Sequence, residues 1–173
     1  QSTPIQGLTT ELIDVSAGAE KDYQGKNVRG KAVLAEVSYS PPTPEKARIA
    51  AINGASAIIC MNWGKDQQVI CGRGLKAVWG NPTPQNIDNI PRIAGISISR
   101  KDGERLKELC IQNPRVKVHL RAEACNRWEN LPQPVAILEA KHDNEEFVLI
   151  SGHLDAWEPG VTCNATGNGA MLE

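Results

Sequence analysis

The chain has 173 residues, 40% of them apolar and 23% charged, a globular composition that excludes disordered, collagenous and fibrous proteins. Lys and Arg total 19 against 20 for Asp and Glu, so the formal charge is −1 and no basic field exists to attract nucleic acid or a membrane surface. The longest apolar run, residues 57–61, is strand-sized and far short of the about 20 residues of a membrane-spanning helix, so neither membrane insertion nor nucleic-acid binding is expected.

Residues 8–15 are expected to form a strand, followed by a polar loop through Asp22, Tyr23, Gly25 and Lys26. Gly30 and Lys31 open the run Ala32, Val33, Leu34, Ala35, Glu36 and Val37, whose β-branched, apolar character marks a buried strand. Pro41, Pro42 and Pro44 end it. Thr43 is the expected cap of a helix over residues 45–53, with Pro44 at its first position, Glu45 favoured by the helix dipole, and Ile49 and Ile52 on its inner face. Gly54 stops that helix, and residues 55–61 form a second buried strand. Strand, helix and strand within about thirty residues is the pattern of a βαβ unit with parallel strands.

Residues 62–89, rich in Gly, Asn and Pro, read as a long surface loop. Order returns over residues 90–99, a strand with Ile96 and Ile98 on one face. Ser99 then caps a helix running to about Ile111, with Asp102 in its first turn and Leu106 and Leu109 inward, and Pro114 lies beyond its end. Residues 116–122 alternate strictly, as a half-exposed antiparallel strand with buried valines and Leu120 does. A domain boundary falls in residues 126–134. Beyond it, residues 135–140 and 146–152 read as a hairpin, and a helix begins near Gly169.

The chemistry concentrates in Ser151, Gly152, His153, Leu154, Asp155, Ala156 and Trp157, at the end of that apolar second strand. Alternate residues of a strand share a face, so the His153 imidazole and the Asp155 carboxylate are expected side by side. Such a pair suits a metal ligand and the group that orients it. In open α/β sheets, ligands gather beyond the carboxyl ends of the strands. The bland alternative is a hydrogen-bonded pair at a strand end.

This stretch, with Gly160, Gly167, Asn168, Gly169 and Ala170 after it, resembles the first metal-binding segment of the co-catalytic dizinc aminopeptidases and carboxypeptidases, a family that also includes the transferrin receptor. The preceding region resembles the protease-associated (PA) domain that many members carry as an insertion. Gly30, Lys31, Ala32, Val33 and Leu34, then Gly54, Ala55, Ser56 and Ala57, then Ile96, Ser97, Ile98 and Ser99, stand at the matching places. The resemblance implies a mixed α/β protein. A PA domain over residues 8–127, an open barrel-like sheet with flanking helices, would precede the start of an α/β zinc-peptidase domain over residues 134–173. It also implies a peptide or protein substrate, zinc as the metal of the intact site, His153 as a zinc ligand, and Asp155 as the catalytic-site carboxylate that orients it.

The metal-bridging aspartate of that family has no counterpart here. Read without a gap from Trp157 its place falls on Ala165, and aligned on the Ala165, Thr166, Gly167, Asn168, Gly169 string it falls on Gly167. Neither residue binds metal, and Cys163, the nearest substitute, offers one soft sulfur where two hard oxygens are wanted. The family's remaining ligands would lie beyond Glu173. The chain as it stands is therefore expected not to hydrolyse peptides, and Cys163 stays open between a passive loop thiol, a disulfide partner and a replacement ligand. Two readings stay open: a fragment or truncated homologue of a zinc metallo-exopeptidase, whose PA domain shapes substrate access, and a non-catalytic interaction module.

The other motifs carry less. Asn164, Ala165 and Thr166 fit the N-glycosylation pattern but coincide with the metal loop, and Gly72, Arg73 and Gly74 lack the Lys and Ser/Thr of a phosphate loop. Five cysteines form no C-x-x-C pair. Cys60 is expected in the core, while Cys71, Cys110 and Cys125 could supply one disulfide in an exported protein. The first six residues lack the pattern of a signal peptide, which leaves the compartment open between an intracellular protein and one whose leader is removed or not included. Trp63 and Trp79 either form a contact surface or pin their loop to the domain.

Overall fold

Two five-residue strands, β2 (Ala32–Glu36) and β3 (Ala57–Met61), are buried along their whole length and organise the rest of their unit. In the computed structural model, which describes residues 2–64, 82–125, 127–139, 141, 146–154 and 164–172, the chain divides into a unit of residues Gln1–Asn126 and a second of residues Arg127–Glu173. The first unit adds β1 (Leu8–Asp14), α1 (Thr43–Ile52), β4 (Ala94–Ile98), α2 (Arg100–Gln112) and β5 (Lys117–Leu120). The five strands lie in the order β4-β3-β2-β1-β5, parallel throughout except for β5, which runs antiparallel to β1.

Strand alternation sends successive residues of β2 and β3 to opposite faces. Val33, Ala35, Ile58 and Cys60 join Ala47, Ile49 and Ala50 of α1 in one cluster. Ala32, Leu34, Ala57, Ile59 and Met61 form another with Ala94 of β4 and Leu120 of β5, and Leu106 and Cys110 of α2 pack against it. With both faces covered, the central strands read as unbroken apolar runs rather than alternating ones. β1 divides its pairing: Leu8, Thr9, Thr10 and Glu11 face β5, whereas Leu12, Ile13 and Asp14 face β2. This change of partner accompanies the curl of the sheet into a half-barrel. The mixed α/β, barrel-like fold read from the sequence is thus the fold observed.

Local details differ from expectation. Thr43 is the first helical residue rather than the cap, and Pro42 takes the cap position without a side-chain bond. Thr43 is buried, and burial outweighs its capping preference. Ile52 points outward, 62% exposed, because at 3.6 residues per turn it lies half a turn around the helix from Thr43. In α2, Ser99 caps as expected: its Oγ accepts from the Asp102 N–H at 3.1 Å and donates to the Asp102 carboxylate at 2.7 Å. The inner stripe of that helix runs through Gly103, Leu106 and Cys110, with Leu109 only half-buried at its edge.

Gly103 lets α2 sit hard on β3, since a Cβ there would run into the Cγ and Sδ of Met61. Two charged groups are also taken inside. The Lys46 ammonium, fully buried on α1, donates to the carbonyls of Ala17 and, at 2.6 Å, Tyr39, fastening the loops that follow β1 and β2. Burial lowers its pKa. Glu36, at the end of β2, accepts from Arg100 Nη1 at 2.7 Å and from Lys107 Nζ at 3.5 Å, tying the sheet to α2. Burial pushes the Glu36 carboxyl upward, but its hydrogen bond to Arg100 and the charges of Arg100 and Lys107 together hold it below its ordinary value.

The beginning and end of the first unit are clipped together. The Thr3 N–H donates to the Ala122 carbonyl at 2.9 Å, the Ala122 N–H returns a bond to Thr3 Oγ1 at 3.1 Å, and the Ala124 N–H donates to Ser2 Oγ at 2.9 Å.

In the second unit, the expected hairpin is replaced by irregular, exposed chain: residues 134–139 and 146–154 carry no strand, and Val135, Ile137, Leu138, Phe147, Val148, Leu149 and Ile150 are all at least 69% exposed. A two-stranded ribbon is marginal without a third strand or a helix to cover it. The expected turn residues 142–145 lie outside the described residues. The terminal helix, α3 (Thr166–Leu172), begins three residues earlier than expected.

Gly103→Ala is expected to lower unfolding free energy by about 1–3 kcal/mol through overpacking against Met61, measured by urea denaturation. Because Glu36 is held below its ordinary value of 4.5, its contribution is present above that pH and drains away as pH falls through the lowered value. Acid titration of stability should therefore show a fall below about pH 4.5 that is shallower in Glu36→Gln.

Candidate functional site

The sequence places the chemistry beyond residue 150. There the backbone at Gly152 and the His153 carbonyl lies against Asn164 and against Asn168 and Met171 of α3. The Asn168 side chain, on the first turn of α3, donates through Nδ2 to the His153 carbonyl at 2.9 Å. Asn164 Nδ2 in turn donates to Asn168 Oδ1 at 3.4 Å. Gly152 permits this approach: a Cβ there would come within 2.7 Å of Asn168 Oδ1 and 2.8 Å of Asn164 Nδ2. The strand end and the helix start that the sequence reading picked out are therefore neighbours.

Asp155 and Cys163 lie outside the described residues, so the expected pairing of Asp155 with His153 is not described. Of the two places considered for a bridging carboxylate, Ala165 is exposed to solvent, whereas Gly167 is half-buried and faces Asn164. Among the described residues, no group of three or more His, Cys, Asp or Glu side chains is arranged to hold a metal ion. Among the described residues, Asn168 and Asn164 beside the His153 carbonyl offer amides, which zinc takes less readily than imidazole, thiolate or carboxylate. The described side chains thus do not fit a two-metal centre.

Sequence reasoning missed the two asparagines. Asn164 entered only as part of a glycosylation pattern and Asn168 as one residue of a Gly-Asn-Gly string. Their spacing of four, which on a helix stacks side chains one turn apart, was the available signal.

The first unit offers a second surface. The 3-10 helix Glu20–Tyr23 and the first turn of α1 border an open cavity of about 490 Å³, lined by Glu20, Lys21, Ser40, Pro41, Glu45 and Ile49 among others. Arg48 spans its rim, donating from Nε to Glu45 Oε2 at 2.7 Å and lying 3.6 Å from Glu20 Oε1. That hydrogen bond holds the Glu45 carboxyl below its ordinary range. Trp63, 37% exposed, follows β3 just before residues 65–81, which lie outside the described residues together with Trp79 and Cys71. His119 is exposed on β5, and its Nδ1 shares a hydrogen bond of 2.8 Å with Thr9 Oγ1. Cys60 is buried in the core, as expected, while Cys110 and Cys125 are free thiols, so the disulfide considered for them is not formed between them.

A curled parallel sheet with one helix on each face, closed by an antiparallel strand that returns to β1, defines a small α/β module. The sequence model of the PA domain matches residues 8–106, and the chain belongs to the PA domain family. Over 173 residues it is 27% identical to carboxypeptidase Q of Xenopus laevis, and over 174 residues 24% identical to that of Homo sapiens. Each match covers 98% of this chain and 36% of the relative, so the chain spans about a third of the length of these homologues. Among solved structures, the aminopeptidase from Aneurinibacillus sp. strain AM-1 shares the fold with a TM-score of 0.50 at 23% identity, covering 69% of this chain and 26% of that one. A zinc aminopeptidase from Bacillus subtilis is 22% identical with a TM-score of 0.46, covering 70% of this chain and 25% of its own.

Thiol accessibility should follow burial: iodoacetamide labelling with peptide mapping is expected to modify exposed Cys125 first, half-buried Cys110 later and Cys60 only on unfolding.

Proposed function

We propose that this chain is the recognition-bearing part of a zinc metallo-exopeptidase of the carboxypeptidase Q kind, with residues 8–127 as a PA domain that shapes peptide access and residues 134–173 as the opening segment of the peptidase domain. One observation carries the reading: the match to carboxypeptidase Q takes in both units and 98% of the chain in a single stretch. Peptides or proteins are then the ligand class. The cavity between the 3-10 helix and α1, with carboxylates and cations on its rim and Pro41 and Ile49 among its lining, has the mixed character that suits an extended polar chain.

In this reading His153 is the metal-ligating side chain of the segment and Asp155 its orienting carboxylate, while zinc belongs to an intact site that needs further donors. Two-metal hydrolysis requires a carboxylate shared by both ions, several ligands to each and a base for the water. The described residues supply none of that set beyond His153, so no hydrolytic step is assigned to this chain. A second reading, a non-catalytic interaction module, is favoured by one specific feature: Ala165 and Gly167, the two places considered for the bridging carboxylate, carry no ligating atoms.

The test is a peptidase assay on the 173-residue chain with amino-acyl and carboxyl-terminal model peptides. No turnover is expected with or without about 1 mM zinc. Turnover that disappears in His153→Ala would assign catalysis to the chain itself and overturn this division of labour.

A further inference from the structure

We propose that the backbone around His153 is fastened to α3 by a clasp of side-chain amides, and that Asn164 fills the space a bridging carboxylate at position 167 would need, so that this segment keeps its shape without a metal. The amide contacts stand on their own geometry, and their contrast with a bridging carboxylate rests on the proposed function.

The clasp is a directed chain of donors and acceptors. Asn164 donates to the Asn168 carbonyl oxygen, and Asn168 donates through its own nitrogen to the carbonyl of His153. A primary amide accepts at one terminal atom and donates from the other in this way, whereas an ionised carboxylate is acceptor-only and could not donate to the His153 carbonyl. Two glycines leave room for it. At Gly152 a Cβ would come within 3 Å of Asn168 Oδ1, Asn164 Nδ2 and the Met171 methyl. At Gly167 a Cβ would run into the Asn164 amide oxygen.

The same contacts choose between the two places considered for a bridging carboxylate. Ala165 faces solvent, so a carboxylate there would leave the clasp untouched. Gly167 faces the clasp, and a side chain there must displace Asn164. A carboxylate at position 167 therefore requires Asn164 to move from its place in the clasp, and a metal bound through such a carboxylate would come at the expense of that arrangement.

Amide hydrogen exchange of α3 in the 173-residue chain tests this, with exchange in β2 and β3 as the control that the first unit stays folded. Protection of α3 is expected to be the same within about twofold in excess EDTA and in about 1 mM zinc chloride. Asn168→Ala and Gly167→Asp should each lower it by about fivefold or more, whereas Ala165→Asp should leave it within about twofold of the wild type. Protection that falls in EDTA or rises about fivefold with zinc would show that a metal holds the segment and would overturn the proposal. So would an Asn168→Ala variant with unchanged protection, or an Ala165→Asp variant as damaged as Gly167→Asp.

Discussion

Burial of β2 and β3 on both faces is the constraint to which the rest of the first unit answers. Two strands of five residues each without a solvent face leave no place for the centre of the sheet to meet water, so each side must be roofed. The chain achieves this with one helix per side: α1 follows β2 directly, and α2 crosses the far side on its way from β4 to β5. Each Val, Leu or Ile so enclosed contributes about 1.5–3 kcal/mol relative to exposure. The polar interior is arranged to preserve that covering. Lys46 ties α1 to the loops after β1 and β2, and Glu36 ties β2 to α2, so both roofs are anchored to the sheet by buried charge as well as by apolar contact.

A buried lysine satisfied only by backbone carbonyls is an expensive device. Its desolvation is offset by hydrogen bonds to the Ala17 and Tyr39 carbonyls. The placement explains why α1 carries so few large apolar residues on its inner face. Ala47 and Ala50 keep that helix close to the sheet, and the long alkyl stem of Lys46 fills the remaining volume. The 3-10 helix and the α1 turn that border the cavity begin at these two fastened loops, so the cavity inherits its shape from the same interior contact.

Most of the first unit was legible because its signals were local and mutually consistent. Apolar runs bounded by Gly and Pro gave β2 and β3, the Ser99 and Asp102 pair gave the start of α2, and strict alternation gave β5. The errors arose where tertiary context overrode local preference. Thr43 was drawn into the interior instead of capping, and Ile52 was placed inward by residue type although helical rotation put it outside. The second unit was less legible for a different reason. Its strands looked like strands because they are apolar, yet apolarity alone supplies neither a partner nor a turn. In the candidate site, His153 announced itself by residue type, whereas Asn164 and Asn168 did not, because an amide pair has no motif and acquires meaning only from the carbonyl it reaches.

The clip between Thr3 and Ala122 and between Ser2 and Ala124 has a topological consequence. A unit whose entry and exit strands emerge side by side presents to any host polypeptide no more than the two adjacent ends of a closed loop. Such a unit can be threaded into a turn of another domain without prising that turn apart. The entropy of closing the loop is met inside the guest, by five hydrogen bonds of its own making, and is not levied on the host.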